Sequence, residues 1–350
     1  MSKMIDIPEG TDIIEVRKRM SKLISTARKE AKPDVCILCG KPQTSFCNSH
    51  SVPRLALKNI AINGKVLLAS TVMGIEEIID IEDGVKGSGT FHFICNDCDG
   101  KFFQDYENEQ NLKLKPTDKM LAEIAVKNFL LQLSKRAQEK ILHRELQKKF
   151  DAYCNLEDLE KIKSLDVKDY TEDLQFHKYI ADNNVEGGYQ ILFWKVVPYK
   201  VPIAVQSAIS LEKDLEGNEI NNTFDMSKSV RMQFMHLAVL PMKGESVVLA
   251  FYHKRDKLYR KLRHQINSIS EQKVLQFLNY IIFAYTENYF ISKSIQSTIE
   301  TNEKLQKLGR ENSGNPDFGF LGLDNYFGIG YQPISMDEIP NFLSAEWAVV

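Results

Sequence analysis

No stretch of the chain approaches the run of roughly 20 apolar residues that a membrane-spanning helix needs. Its start, Met-Ser-Lys-Met-Ile-Asp, also lacks the charged-then-apolar pattern of a secretory signal. The expectation is a cytoplasmic protein with no membrane partner. Charge of one sign is not in excess either. A net charge of −2 and a pI near 6.4 carry no global nucleic-acid signature, so any such binding must come from local patches. A Gly-rich phosphate loop and a nucleophile elbow are both missing, which sets aside ATPases and hydrolases built on those motifs. There is no internal repeat. Cysteine is scarce, with six in 350 residues, yet four of the six fall in two Cys-x-x-Cys pairs. In a chain with no mark of secretion, such pairs argue for metal-bound thiolates and against a disulfide framework.

The pairs are Cys36 with Cys39 and Cys95 with Cys98, and together they supply the four soft ligands of a closed, structural zinc site. Gly40 after the first pair permits the tight turn of a zinc knuckle. Cys47 and Cys154 read as small apolar residues. Around this set the chain divides into five stretches, and the fold class expected is α+β. Residues 1–33 form a basic amphipathic helix, with a capping box at Asp12 and Glu15 and basic residues from Arg17 to Lys29. Residues 34–115 are the zinc-bound module, with strand-like runs Lys65 to Ser70 and Thr90 to Ile94 and a helix opening at the second pair. Residues 116–185 are helical, beginning with one long helix from Pro116 to about Phe150.

In residues 186–310 the runs Tyr189 to Val197, Val201 to Leu211, Val230 to Leu240 and Val247 to His253 predict an antiparallel meander. A basic cluster from Lys254 to Arg263 follows, and a helix starts at a capping box of Ser268 and Glu271. This stretch is assigned to recognition or oligomerisation. Residues 311–350 are a Gly- and aromatic-rich tail expected to pack on a surface.

A knuckle, a hairpin and a helix that begins at its own metal ligand outline a treble clef. At these residues the chain resembles zinc-knuckle members of the His-Asn-His nuclease superfamily, and is similar in layout to phage recombination endonuclease VII. The phrase Ser49-His50-Ser51-Val52-Pro53-Arg54, with Cys98-Asp99, also resembles bacterial proteins carrying Ser-His-x-x-Pro before Cys-x-x-Cys-Glu. The resemblance spans about residues 34–110. It implies a ββα-metal nuclease in which His50 is the general base and Asp99 holds a catalytic Mg2+ or Mn2+. Arg54, four residues past His50, is suited to grip a phosphate bidentately. Zinc on the four cysteines would be structural, and the partner would be nucleic acid, DNA first. Association by family suggests a role in defence against foreign DNA. A second copy of the chain or a regulatory protein is a further partner class.

The chain departs from that pattern at two points. Ser49 stands where the family carries an acidic metal ligand, with Asp105 or Glu107 farther along as replacements. Thr90, Phe91 and His92 stand near the place of the middle asparagine. These departures support an alternative reading, a catalytically silent zinc module that binds nucleic acid or protein. The other histidines, His92, His143, His177, His236, His253 and His264, have no partner motif and read as structural or exposed.

Overall fold

The structure is a computed structural model that describes residues 13–69, 79–150, 156–222, 225, 227, 229–310 and 335–349. In chain order its elements are α1 (Ile13–Glu30), β1 (Ser49–His50), α2 (Arg54–Ile60), β2 (Lys65–Ala69), β3 (Ile79–Gly84) and β4 (Thr90–Phe91). Next come α3 (Asn96–Phe102), α4 (Glu109–Leu112), α5 (Asp118–Phe150), α6 (Leu156–Asn183), β5 (Tyr189–Val197), β6 (Ile203–Ile209), β7 (Met235–Pro241) and β8 (Ser246–His253). The last are α7 (Tyr259–Ser268), α8 (Glu271–Tyr285), β9 (Tyr289–Ile291), α9 (Gln296–Thr301) and α10 (Glu303–Arg310). The class is α+β, with antiparallel strands throughout. Asp12 of the expected first capping box, Cys154 and residues 311–334 of the tail lie outside the described residues.

Strands β6 and β7 are apolar at nearly every position and buried at every position, the pattern of strands covered on both faces. Successive side chains serve opposite layers. Ala238 and Leu240 join the core shared with α5, α6 and the cysteine region, while Leu237 and Val239 join the core under α7 and α8. The described tail closes the second layer. Phe342 is fully buried, and its backbone N–H donates to Asn279 Oδ1 of α8 at 3.1 Å.

The seven strands run in the order β3-β2-β9-β6-β7-β8-β5, which corrects the expected meander. Of the four strands β5 to β8, only β6, β7 and β8 follow one another as neighbours; β5 pairs with β8, from Tyr189 opposite His253 to Val197 opposite Ser246. The link between β5 and β6, Pro198-Tyr-Lys-Val-Pro202, has none of the Gly or Asn turn chemistry that folds consecutive strands into a hairpin. The other flank holds the larger surprise. Strand β9, too short to leave a periodic signal, pairs with β6 on one side and with β2 on the other. The hairpin of β2 and β3 therefore belongs to the same sheet as β5 to β8.

The helix after α7 also starts later than its expected cap. Ser268 is still helical and its hydroxyl donates to Gln265 O at 2.7 Å, whereas Ser270 has extended geometry and accepts from Lys273 N at 3.3 Å. Part of the basic cluster ahead of it is committed to structure. Arg255 pairs with buried Asp173, and Lys261 meets Glu216 at 2.9 Å.

Strand β1 is held beside β4, with Ser49 opposite Phe91 and His50 opposite Thr90. Gly89 makes this possible. Its φ of +62° is left-handed, and a Cβ there would lie 2.3 Å from Phe290 Cζ and 2.8 Å from Ser51 Oγ. Gly89→Ala is therefore expected to cost about 1–3 kcal/mol of stability, from overpacking added to backbone strain. Urea unfolding measures it, and an unchanged midpoint would contradict this packing.

Candidate metal centre and the adjoining His50–Asp99 pocket

The first cysteine pair sits in a short turn whose backbone closes on itself. Gly40 N donates to Cys36 O at 2.7 Å, Cys36 N donates to Lys41 O at 2.9 Å, and Gly40 takes a φ of +67°. Ile37 N donates to Phe93 O at 3.0 Å, which lays the turn against the strand leading to Cys95. Cys95 then serves as the N-cap of α3, with φ −77° and ψ 161°, so Cys98 arrives one helical turn later. The result brings together the four expected sulfurs, all within 4.8 Å of one another. A tetrahedron of sulfurs about 2.3 Å from zinc has edges of about 3.8 Å, so this group could hold a metal ion such as zinc. Cys95 N donates to Cys36 Sγ at 3.3 Å. Burial opposes ionisation of Cys36, but the backbone N–H groups around it prevail and bring its pKa down to about 7.

Asp99, next after the last cysteine, points away from the sulfurs into a second pocket that also receives β1. Ser49, fully buried, donates its hydroxyl to Asp99 Oδ1 at 2.5 Å. Cys47 donates its thiol to Asp99 Oδ2 at 3.3 Å. Burial, then the charge on Asp99, pushes the Cys47 thiol up to about 12, so it stays protonated and is a true donor. Cys47 is thus part of the site and not a passive apolar residue.

The least expected member is Lys127 of α5. Its side chain is 1% exposed, and its ammonium donates to Asp99 Oδ1 at 3.0 Å and to Ser49 Oγ at 3.2 Å. It also meets Glu107 Oε1 at 3.0 Å and lies 3.6 Å from the centre of the Phe103 ring. Burial works against the Asp99 carboxylate, but the Lys127 charge and the hydrogen bonds from Ser49, Lys127 and Cys47 outweigh it. The Asp99 pKa lies below the ordinary carboxylate value. Glu107, proposed from the sequence as a replacement ligand, does reach this pocket, but as a partner of Lys127. Asp105 is turned to Lys119 at 2.8 Å.

His50 stands at the edge of the pocket, half-buried. Its Nε2 lies 2.9 Å from Val85 O. A carbonyl only accepts, so Nε2 carries the proton and Nδ1 is the basic nitrogen. Burial lowers the His50 pKa below 6.5; the Val85 carbonyl opposes this, and the charges of Arg54 and Lys127 add to it. The imidazole is neutral at pH 7. Arg54, the exposed first residue of α2, contributes to that field. His177 and His236 are buried around Phe129.

The pocket does not fit the divalent cation that Asp99 was expected to hold. Both Asp99 oxygens already accept hydrogen bonds, and a protein ammonium fills the space between Asp99 and Glu107. The chain matches no protein-family model, no curated protein and no solved structure.

Elemental analysis of the purified chain is expected to find one zinc per chain. Cys98→Ser should lose that zinc and make the segments around Cys36 and Cys95 more protease-sensitive, since ligation adds folding free energy to the two segments it joins. A zinc-free variant with native protease resistance would contradict a structural role for the metal.

Proposed function

We propose that the chain is a nucleic-acid phosphodiester hydrolase of the His-Asn-His type, with DNA as its first substrate, built on a treble-clef zinc module. The observation that carries this reading is the state of His50. Its Nε2–H is donated to Val85 O at 2.9 Å, which leaves a neutral Nδ1 as base, and Arg54 lies close enough to act on its pKa. A neutral imidazole can take a proton from water as the water oxygen attacks phosphorus and the bond to the leaving oxygen breaks. An exposed guanidinium can carry the charge gathering on the phosphate oxygens, bidentately and without a metal. Zinc, closed in by four thiolates, would hold His50 and Asp99 in register and take no part in the chemistry.

A second reading is favoured by one observation. Lys127 fills the cation position beside a serine that replaces an acidic ligand, which suits a silent zinc module that binds nucleic acid or protein.

Plasmid cleavage by the purified chain separates the two. The hydrolytic reading expects cutting, and a loss of at least about a hundredfold in His50→Ala. Cutting that survives in His50→Ala removes this site from consideration. No cutting by any form, with salt-sensitive DNA binding, selects the silent module. The pH profile adds a sign: His50 must be unprotonated to act, and its pKa is depressed. Activity should therefore hold at pH 7 and fall only as the pH drops below 6.5. A fall that begins well above pH 7 would contradict His50 as the base.

A further inference from the structure

Helix α5 delivers a full positive charge to the place where the resemblance calls for a divalent cation. We infer that Lys127 is the resident cation of the Asp99 pocket, and that the pocket takes no divalent metal ion while Lys127 is in place. The inference concerns the same site as the proposed function, but it rests on the pocket's own chemistry and is tested on metal binding.

Donor and acceptor counts are the first argument. An ammonium has three N–H donors, and Lys127 has three oxygens at hydrogen-bond distance: Asp99 Oδ1 at 3.0 Å, Glu107 Oε1 at 3.0 Å and Ser49 Oγ at 3.2 Å. Two of these, Asp99 and Ser49, accept hydrogen bonds from it, and Glu107 forms an ion pair with it. Asp99 spends Oδ1 on Ser49 and Lys127, and Oδ2 on the Cys47 thiol. The Tyr106 hydroxyl also donates to Glu107 Oε1, at 3.3 Å.

Coordination chemistry is the second. A magnesium ion needs about six oxygen ligands at about 2.0–2.1 Å, most of them waters. One wall of this pocket is the Phe103 ring, 3.6 Å from the ammonium. The π face attracts an ammonium, which needs no ligand bond, but an aromatic ring gives magnesium no oxygen ligand.

The third is access. Lys127 lies on the buried face of α5 between Ile124 and Leu130, both fully buried, so the ammonium cannot swing out without unpacking the helix from the core. A divalent ion beside Asp99 would stand within a few ångströms of that fixed charge. At an effective dielectric constant of about 20, two unit charges about 4 Å apart repel strongly enough to cut affinity at least about a hundredfold.

The test uses the full zinc-loaded chain and Mn2+ alone, followed by electron paramagnetic resonance, with Asp99→Asn as the blank for ions bound elsewhere. Wild type is expected to give no Asp99-dependent Mn2+ signal at millimolar metal. Lys127→Ala, which frees Asp99 and Glu107, is expected to gain one such site, at least about a hundredfold tighter than any in wild type. Asp99-dependent Mn2+ binding by wild type overturns the inference whether or not the variant folds. A folded Lys127→Ala that gains no site overturns it too. The nuclease reading fails separately. Wild type that cuts in a His50-dependent way and also shows Asp99-dependent Mn2+ binding would end this inference and leave the assignment of His50 as base standing. A Mn2+-blind wild type that never cuts would do the reverse.

Discussion

One buried ammonium ties together elements that are far apart in the chain. Removing a charge such as that of Lys127 from water costs several kcal/mol, and the cost is offset only where oxygens meet it with good geometry. Asp99 of α3, Ser49 of β1 and Glu107, just ahead of α4, provide them, with the face of Phe103 closing the cage. Each of these residues is fixed in turn by something stronger than itself. Asp99 follows a cysteine of the four-sulfur group, Ser49 is paired to β4, and Lys127 rides on the longest helix among the described residues. The position of His50 follows from this frame, because it is the neighbour of Ser49 on the same short strand.

The same logic holds at the scale of the layers. Helix α5 lies against the sheet through Phe129 and its neighbours, and the sheet reaches back to the cysteine region through β9 and β2. The described residues between 34 and 115 therefore share a core with α5, α6 and the strands, and the four-sulfur group is braced by that core from outside as well as by any metal within. Small zinc units that stand alone have no such brace. Here the pocket beside Asp99 is the contact surface between the cysteine region and the helix that covers it.

The parts of this arrangement that were legible in the sequence are the parts encoded locally. Spacing alone identified Cys36, Cys39, Cys95 and Cys98, because two thiols separated by two residues meet on a turn or at a helix start wherever they occur. His50 and Asp99 came from resemblance. Lys127 could not be found that way, since it lies 28 residues from Asp99 and 78 from Ser49, and only the packing of α5 brings them together. A signal was nonetheless present: Glu123, Lys127 and Asn128 interrupt an otherwise apolar run from Leu121 to Leu131, and a charge on a buried helix face needs a partner. Cys47 escapes notice for the opposite reason, as a thiol reads as apolar until a carboxylate accepts a hydrogen bond from it. The sheet order was hidden because β9 spans three residues and β5 pairs with a strand distant in sequence.

Lys127 and Asp99, on this reading, act as one unit. A double-mutant cycle on unfolding free energy tests it most directly, with Lys127→Met, Asp99→Asn and the pair. Each single change removes the ion pair but leaves the other group its remaining partners, Glu107 and Ser49 for Lys127 and Ser49 and Cys47 for Asp99, and should cost about 1.5–3 kcal/mol, while the double variant should cost little more than either alone. Costs that simply add would contradict the account, for they would mean that the ammonium and the carboxylate are neighbours without being partners.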